Sequence, residues 1–286
     1  MDISGHTEPY AVLGHPIGHT LSPVMHNAAF AALGRDAIYL AFDVAPEALM
    51  TTLAAMADMG FRGVNLTIPL KETAFQGLDT LEASATLLGA VNTVEFSPTG
   101  RIGHNTDGYG FQRAVKEAFS FAFANRHVFV VGAGGAGRAV ALVAAMEGAA
   151  RVSLADVDPQ RAERAAKEIQ ARFPAVEAHA APINDDLPGQ VRPADLVVQA
   201  TPVGMKPGDP SILPETAFRA DQCVFDLIYM YPETPVMKVA RRAGATTANG
   251  LDMLLYQGVR AFEIWTGLEP PVATMRNALK ERVYAS

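Results

Sequence analysis

Short apolar runs alternate along this chain with longer stretches whose apolar positions recur at helical spacing, the pattern of an α/β protein. In the first third, Tyr10–Leu13, Ile38–Phe42, Gly63–Leu66 and Val91–Phe96 read as strands. Ser22–Leu33 reads as a helix with Ser22 as its N-cap and Pro23 in its first position. Glycines crowd into the stretch around Asn105–Gly110, which predicts a domain boundary there. Beyond it, His127–Val131 is an apolar run of the kind that a strand covered on both sheet faces requires. Helices over Gly135–Glu147 and Pro159–Arg172, with strands over Val152–Ala155, Leu196–Gln199 and Val224–Asp226, predict a doubly wound parallel sheet. Leu251, Leu255, Phe262 and Trp265 then repeat at helical spacing, and this last helix is expected to return to the first domain. The expected division is 1–107, 108–250 and a C-terminal helical segment, 251–286.

Composition narrows the picture. The chain has 286 residues, 49% hydrophobic and 19% charged, enough for a sizeable core and too apolar for disorder. Its formal charge of −7, with no basic stripe, argues against nucleic acid as a partner. A single cysteine, Cys223, excludes a disulfide framework, and its place beside a buried strand reads as core rather than nucleophile. No apolar run reaches a membrane span, so a soluble, cytoplasmic protein is expected, as monomer or homodimer. His15, His19 and His26 are interrupted by Pro16 and Gly18 and have no acidic ligand among them, so no metal is expected.

The sharpest chemical signal is Gly132-Ala133-Gly134-Gly135-Ala136-Gly137, a G-x-G-x-x-G run directly after a predicted strand and opening a predicted helix. Gly132 permits the tight turn, Gly134 lets backbone approach a pyrophosphate, and Gly137 allows close packing of helix on strand. The helix N-terminus offers oriented N–H groups to the anion. About 20 residues on, at the end of the next strand, stands Asp156, placed to accept hydrogen bonds from a ribose and to repel a 2′-phosphate. No arginine follows at once, Arg161 and Arg164 lying on the next helix. The pattern points to NAD, with NADP as the alternative.

Four segments of the first domain are polar where packing alone would want apolar residues. Thr20 and Ser22, ahead of a helix, present two hydroxyls beside free N–H groups, a reasonable cradle for a carboxylate. Asn65 and Thr67 share one face of a strand that runs on towards Lys71; Asn92 interrupts an apolar strand; Asn105-Thr106-Asp107 lies at the boundary. Each has a plainer reading as well. Lys71 could be a solvated side chain at a helix start, Asp107 a helix cap, and Asn65 and Asn92 partners of backbone groups. Gln257, on a mainly apolar helical stripe, could satisfy a carbonyl.

Taken in order, these segments resemble the shikimate dehydrogenase family, quinate/shikimate dehydrogenases included. With Asp226-Leu227-Ile228-Tyr229 and Asn249–Gln257 the resemblance spans nearly the whole chain. It implies an α/β fold with an N-terminal substrate domain followed by a Rossmann-type NAD(P) domain. It implies Lys71 and Asp107 as the catalytic pair, with Thr20 and Ser22 on the substrate carboxylate. Asn65, Thr67, Asn92, Tyr229 and Gln257 would contact ring hydroxyls and carboxylate. Gly132, Ala133, Gly134, Gly135, Ala136, Asp156 and Thr201 would hold the dinucleotide, with Leu227 and Gly250 near its nicotinamide. The implied reaction is reversible hydride transfer between the 3-hydroxyl of shikimate or quinate and NAD(P).

Two positions depart from the pattern of the NADP-using biosynthetic members. Ala155-Asp156-Val157-Asp158 replaces their Asn-Arg-Thr run, and Thr20 replaces the first of two serines. Both differences favour an NAD-dependent quinate/shikimate dehydrogenase. The alternatives are an NADP-linked biosynthetic enzyme and a silent sensor on the same fold.

Overall fold

The computed structural model describes residues 3–284, which fold as two compact units. One unit runs to Gly110 and takes in the chain from Leu254 onward; the other holds Phe111–Met253.

The first unit carries six strands: β1 (Glu8–Gly14), β2 (Ala37–Asp43), β3 (Gly63–Leu66), β4 (Thr80–Leu81), β5 (Thr93–Ser97) and β6 (Gly100–His104). They form one sheet in the order β2-β1-β3-β5-β6-β4. β1 pairs in parallel with β2 and β3, while β3–β5 and β5–β6 are antiparallel. Alternation along β1 divides the core. Ala11 and Leu13 pack with Leu49, Leu53, Met56 and Leu70, on the side of helices Leu49–Asp58 and Leu70–Gly77. Tyr10 meets an aromatic layer: its ring centroid lies 4.9 Å from Phe30 and 5.5 Å from Trp265, and Phe30 lies 5.1 Å from Phe262. Trp265 closes this layer by donating its indole N–H to Val94 O at 3.1 Å.

The second unit is a parallel sheet of β7 (His127–Val131), β8 (Arg151–Ala155), β9 (Glu177–Ala180), β10 (Leu196–Gln199), β11 (Cys223–Asp226) and β12 (Thr246–Asn249). Their order, β12-β11-β10-β7-β8-β9, is that of a doubly wound dinucleotide-binding sheet. β7, β8 and β10 are buried along nearly all of their length, β7 and β8 emerging only at their first residues, as strands covered on both sheet faces are. None of the described helices is long and apolar enough to cross a membrane.

Three sequence expectations shift. The helix expected from Ser22 is capped by Leu21, with Ser22 already inside it as the first of Ser22–Ala32. Its hydroxyl lies among Thr20 and Tyr39 rather than over the helix end. The strand expected over Val91–Phe96 begins at Thr93, because Asn92 donates its backbone N–H to His104 O outside the regular ladder. β3 ends at Leu66, so Thr67 stands one residue past the strand, although its N–H still donates to Leu13 O at 2.9 Å.

Candidate functional site

In the first unit two helix starts come together. β3 is followed at once by helix Leu70–Gly77, which puts Lys71 in its first turn; helix Asp107–Phe119 opens with Asp107. Lys71 Nζ donates to Asp107 Oδ2 at 2.5 Å, with the side chains 27% and 21% exposed. The other carboxylate oxygen accepts Asn92 Nδ2 at 2.9 Å, and the Asp107 N–H donates to Asn105 Oδ1 at 3.0 Å. The carboxylate is therefore gripped from both sides at the positive end of a helix. A partly exposed ammonium beside an oriented carboxylate is an arrangement suited to proton transfer.

Behind this pair lies a buried set of polar side chains. Asn92 Oδ1 accepts the Thr106 N–H at 2.8 Å, and its amide also donates to Thr106 Oγ1 at 2.9 Å. Asn65 Nδ2 donates to Asn92 O at 3.1 Å and to Thr93 Oγ1 at 3.0 Å. The Tyr39 hydroxyl donates to Asn65 Oδ1 at 2.6 Å. Burial holds that phenol well above its ordinary pKa, against a hydrogen bond from Ser22. Thr20 Oγ1 lies 3.4 Å from Ser22 Oγ. Gln257 donates to Leu254 O, one turn back in its own helix, at 2.8 Å.

The second unit holds the remaining candidates. Gly132 has φ of 100°, and a Cβ there would press on the Ala200 carbonyl and on Thr201, 2.8–2.9 Å away. A Cβ on Gly137 would run into Gly132 O. Gly134 and Gly135, by contrast, face open space, and helix Gly135–Met146, with Ala136 in its first turn, has no acidic residue there. This is a cradle for an anion that needs close backbone approach, and it fits a dinucleotide pyrophosphate. Asp156 accepts the Ala133 N–H at 2.6 Å and the Asp158 N–H at 2.8 Å, so it ties the glycine turn to the end of β8. Arg161 pairs with Asp158 at 3.4 Å. A Cβ on Gly250 would collide with Leu227 backbone, which fixes these two positions against each other. Tyr229 follows on the loop after β11, and burial raises its pKa. That loop is anchored by buried Asp226, which accepts the Thr234 hydroxyl at 2.6 Å and the Ile228 N–H at 3.0 Å.

Sequence reasoning passed over Thr93, Thr106 and Tyr39, since threonine and tyrosine are ordinary strand residues. The repeated Asn-Thr pair, at 92–93 and 105–106, was the available signal. Of His15, His19 and His26, the first pairs with Asp43 at 2.6 Å and the last is fully buried under Tyr39. Among the described residues no cluster of three or more His, Cys, Asp or Glu has the geometry to hold a metal ion. Burial raises the pKa of the Cys223 thiol at the start of β11.

Comparison with known proteins adds an independent line. Residues 12–94 match the shikimate dehydrogenase substrate binding domain, and residues 250–280 the shikimate 5′-dehydrogenase C-terminal domain. A shikimate dehydrogenase (NADP(+)) of Methanopyrus kandleri is 44% identical, over 99% of this chain and 98% of that one. The shikimate 5-dehydrogenase of Listeria monocytogenes, solved with shikimate and NAD, superposes with a TM-score of 0.91 at 36% identity, covering 98% of each chain. A quinate dehydrogenase from Corynebacterium glutamicum, solved with NAD, gives 0.87 at 36% identity, over 95% of this chain and 98% of that one.

Proposed function

The chain belongs to the shikimate dehydrogenase family and is an oxidoreductase acting on CH–OH groups with a nicotinamide dinucleotide; within that frame we propose that it prefers NAD and oxidises the ring 3-hydroxyl of both shikimate and quinate. The observation that carries the site assignment is the Lys71–Asp107 pair, held from behind by Asn92. The bound dinucleotide supplies the hydride acceptor or donor. As the neutral amine, Lys71 Nζ takes the hydroxyl proton while the alcohol becomes a ketone, and as the ammonium so formed it returns that proton in the reverse direction. Asp107 keeps that nitrogen in place and balances its charge through the cycle. Thr20 and Ser22 receive the substrate carboxylate, and Asn65, Thr67, Asn92, Tyr229 and Gln257 address the ring hydroxyls and carboxylate.

The cofactor preference rests on Asp156. Gly134–Gly135 would hold the pyrophosphate, and the carboxylate at the end of β8 accepts ribose hydroxyls while opposing a 2′-phosphate. The first cation after it in sequence, Arg161, is paired with Asp158. The NADP-linked alternative is favoured by the name of the Methanopyrus relative. Initial rates with shikimate or quinate, each with NAD⁺ or NADP⁺, separate the two. The proposal expects NAD⁺ to lead by at least about tenfold in kcat/KM, with both acids turned over. Turnover confined to shikimate with NADP⁺ would overturn both the cofactor and the quinate assignments.

A further inference from the structure

The buried polar set behind the catalytic pair forms one unbroken chain of side-chain hydrogen bonds. Tyr39 donates to Asn65 Oδ1, Asn65 Nδ2 to Thr93 Oγ1, Thr93 Oγ1 to Asn92 Oδ1, and Asn92 Nδ2 to Asp107 Oδ1, whose partner oxygen receives Lys71. The direction of each bond follows from groups that cannot change roles. The Thr106 backbone N–H must donate, so the atom of Asn92 that receives it is oxygen. Asn92 O must accept, so the atom of Asn65 that reaches it is nitrogen. Thr93, wholly buried with a single proton, accepts from one asparagine and donates to the other.

We propose that Thr93 is a positioning residue of the active site, whose hydroxyl sets the orientation of both the Asn65 and Asn92 amides and through Asn92 holds Asp107 against Lys71. The inference rests on the dehydrogenase reading above. It also defines what Asn65 can read. Both of its N–H donors are spent on Asn92 O and Thr93, and one lone pair of Oδ1 is taken by Tyr39. Only an acceptor is left, so a ring substituent that Asn65 recognises has to be a proton donor, a hydroxyl rather than a ketone or an ether. Tyr39 is the second positioning residue, at the far end of the same chain.

The test compares Thr93→Val, which keeps the shape and removes the hydroxyl, with Thr93→Ser, which restores it. Steady-state kinetics are read against acid and dinucleotide separately, and hydrogen exchange of the asparagine side-chain amides is followed by NMR on protein labelled with ¹⁵N-asparagine. The proposal expects Thr93→Val to lose about tenfold to a hundredfold in kcat, to raise the KM for the acid, and to leave the KM for the dinucleotide within about twofold. Two slowly exchanging asparagine amides in the wild type should exchange fast in Thr93→Val and slowly again in Thr93→Ser, with activity recovering in step. Wild-type kcat in a folded Thr93→Val protein, or a Thr93→Ser protein as impaired as Thr93→Val, would overturn it. So would amide exchange that ignores both changes. If Thr93→Val does not fold, Tyr39→Phe takes its place: release of the Asn65 amide with a raised acid KM upholds the proposal, and an unaltered enzyme rejects it. A wild-type protein that turns over neither acid would count against the dehydrogenase reading, while the amide exchange would still decide the network.

Discussion

The imidazole of His26 lies flat on the phenol of Tyr39, ring centroids 4.4 Å apart and planes 8° from parallel, and neither ring nitrogen has a hydrogen-bond partner. Burial pushes its pKa from an ordinary 6.5 down to about 3. Between those values the unfolded chain binds a proton that the folded chain refuses. The stability is therefore intact above about pH 6.5 and falls as the pH drops, by about 1.4 kcal/mol per pH unit from this residue. His26→Phe, which keeps an aromatic ring on Tyr39, should lose less stability than the wild type between pH 6.5 and 4.5. Urea unfolding at a series of pH values measures the difference, and parallel curves would refute the assignment.

Asp226 has the opposite sign. Burial raises its pKa from 3.8 to about 6, against the hydrogen bonds from Thr234 and Ile228. The proton it holds in the fold stabilises the protein fully below about pH 3.8, and that contribution is lost as the pH rises through about 6. Asp226→Asn, which cannot ionise, should therefore lose less stability than the wild type between about pH 4 and 6. The same unfolding series reads it, and an equal or steeper loss in the variant would contradict the account.

Lys71→Ala and Asp107→Asn test the catalytic pair. Each should lower kcat by about 10²–10⁴ while dinucleotide affinity stays nearly unchanged. Stopped-flow turnover together with a fluorescence titration of NADH separates the two effects. A Lys71→Ala enzyme of near-normal turnover would remove this nitrogen from the mechanism.

Two glycines of the first unit should respond differently to one added methyl. A Cβ on Gly63 would fall inside the Trp265 indole, which is pinned by its hydrogen bond to Val94 O. A Cβ on Gly258 would meet chiefly the flexible end of Met25, with the His26 ring 3.4 Å off. Gly63→Ala is expected to cost about 1–3 kcal/mol, whereas Gly258→Ala, within helix Leu251–Thr266, offsets much of its crowding through improved helix propensity. Chemical denaturation ranks the pair, and the reverse order would show the wrong side chain to be the rigid one.

The second unit was legible because each of its signals is local. An apolar strand, a glycine turn and a strand-end aspartate lie within one βαβ stretch, and both the period and the spacing survive in sequence. Lys71 and Asp107 were legible only through a family pattern. Nothing in a sequence says that two residues at helix starts share a hydrogen bond. Thr93 escaped altogether, because its role comes from bridging its neighbour Asn92 to Asn65 on another strand, and its type suits any strand. Ser22 was misplaced by one position for a related reason: a serine ahead of a proline scores as a cap whatever its hydroxyl meets in the fold.

The indole of Trp265 and the carbonyl of Val94 are bonded across 171 residues of chain, and the whole of Phe111–Met253 lies in that interval. For a nascent polypeptide this sets an order of assembly. The second unit is continuous and can complete itself as soon as it emerges, whereas the first must wait, its aromatic layer open, until the chain beyond Leu254 has left the ribosome. Until then Tyr10, Phe30 and Tyr39 lack the surface that will cover them, and the interval is a window for chaperone binding.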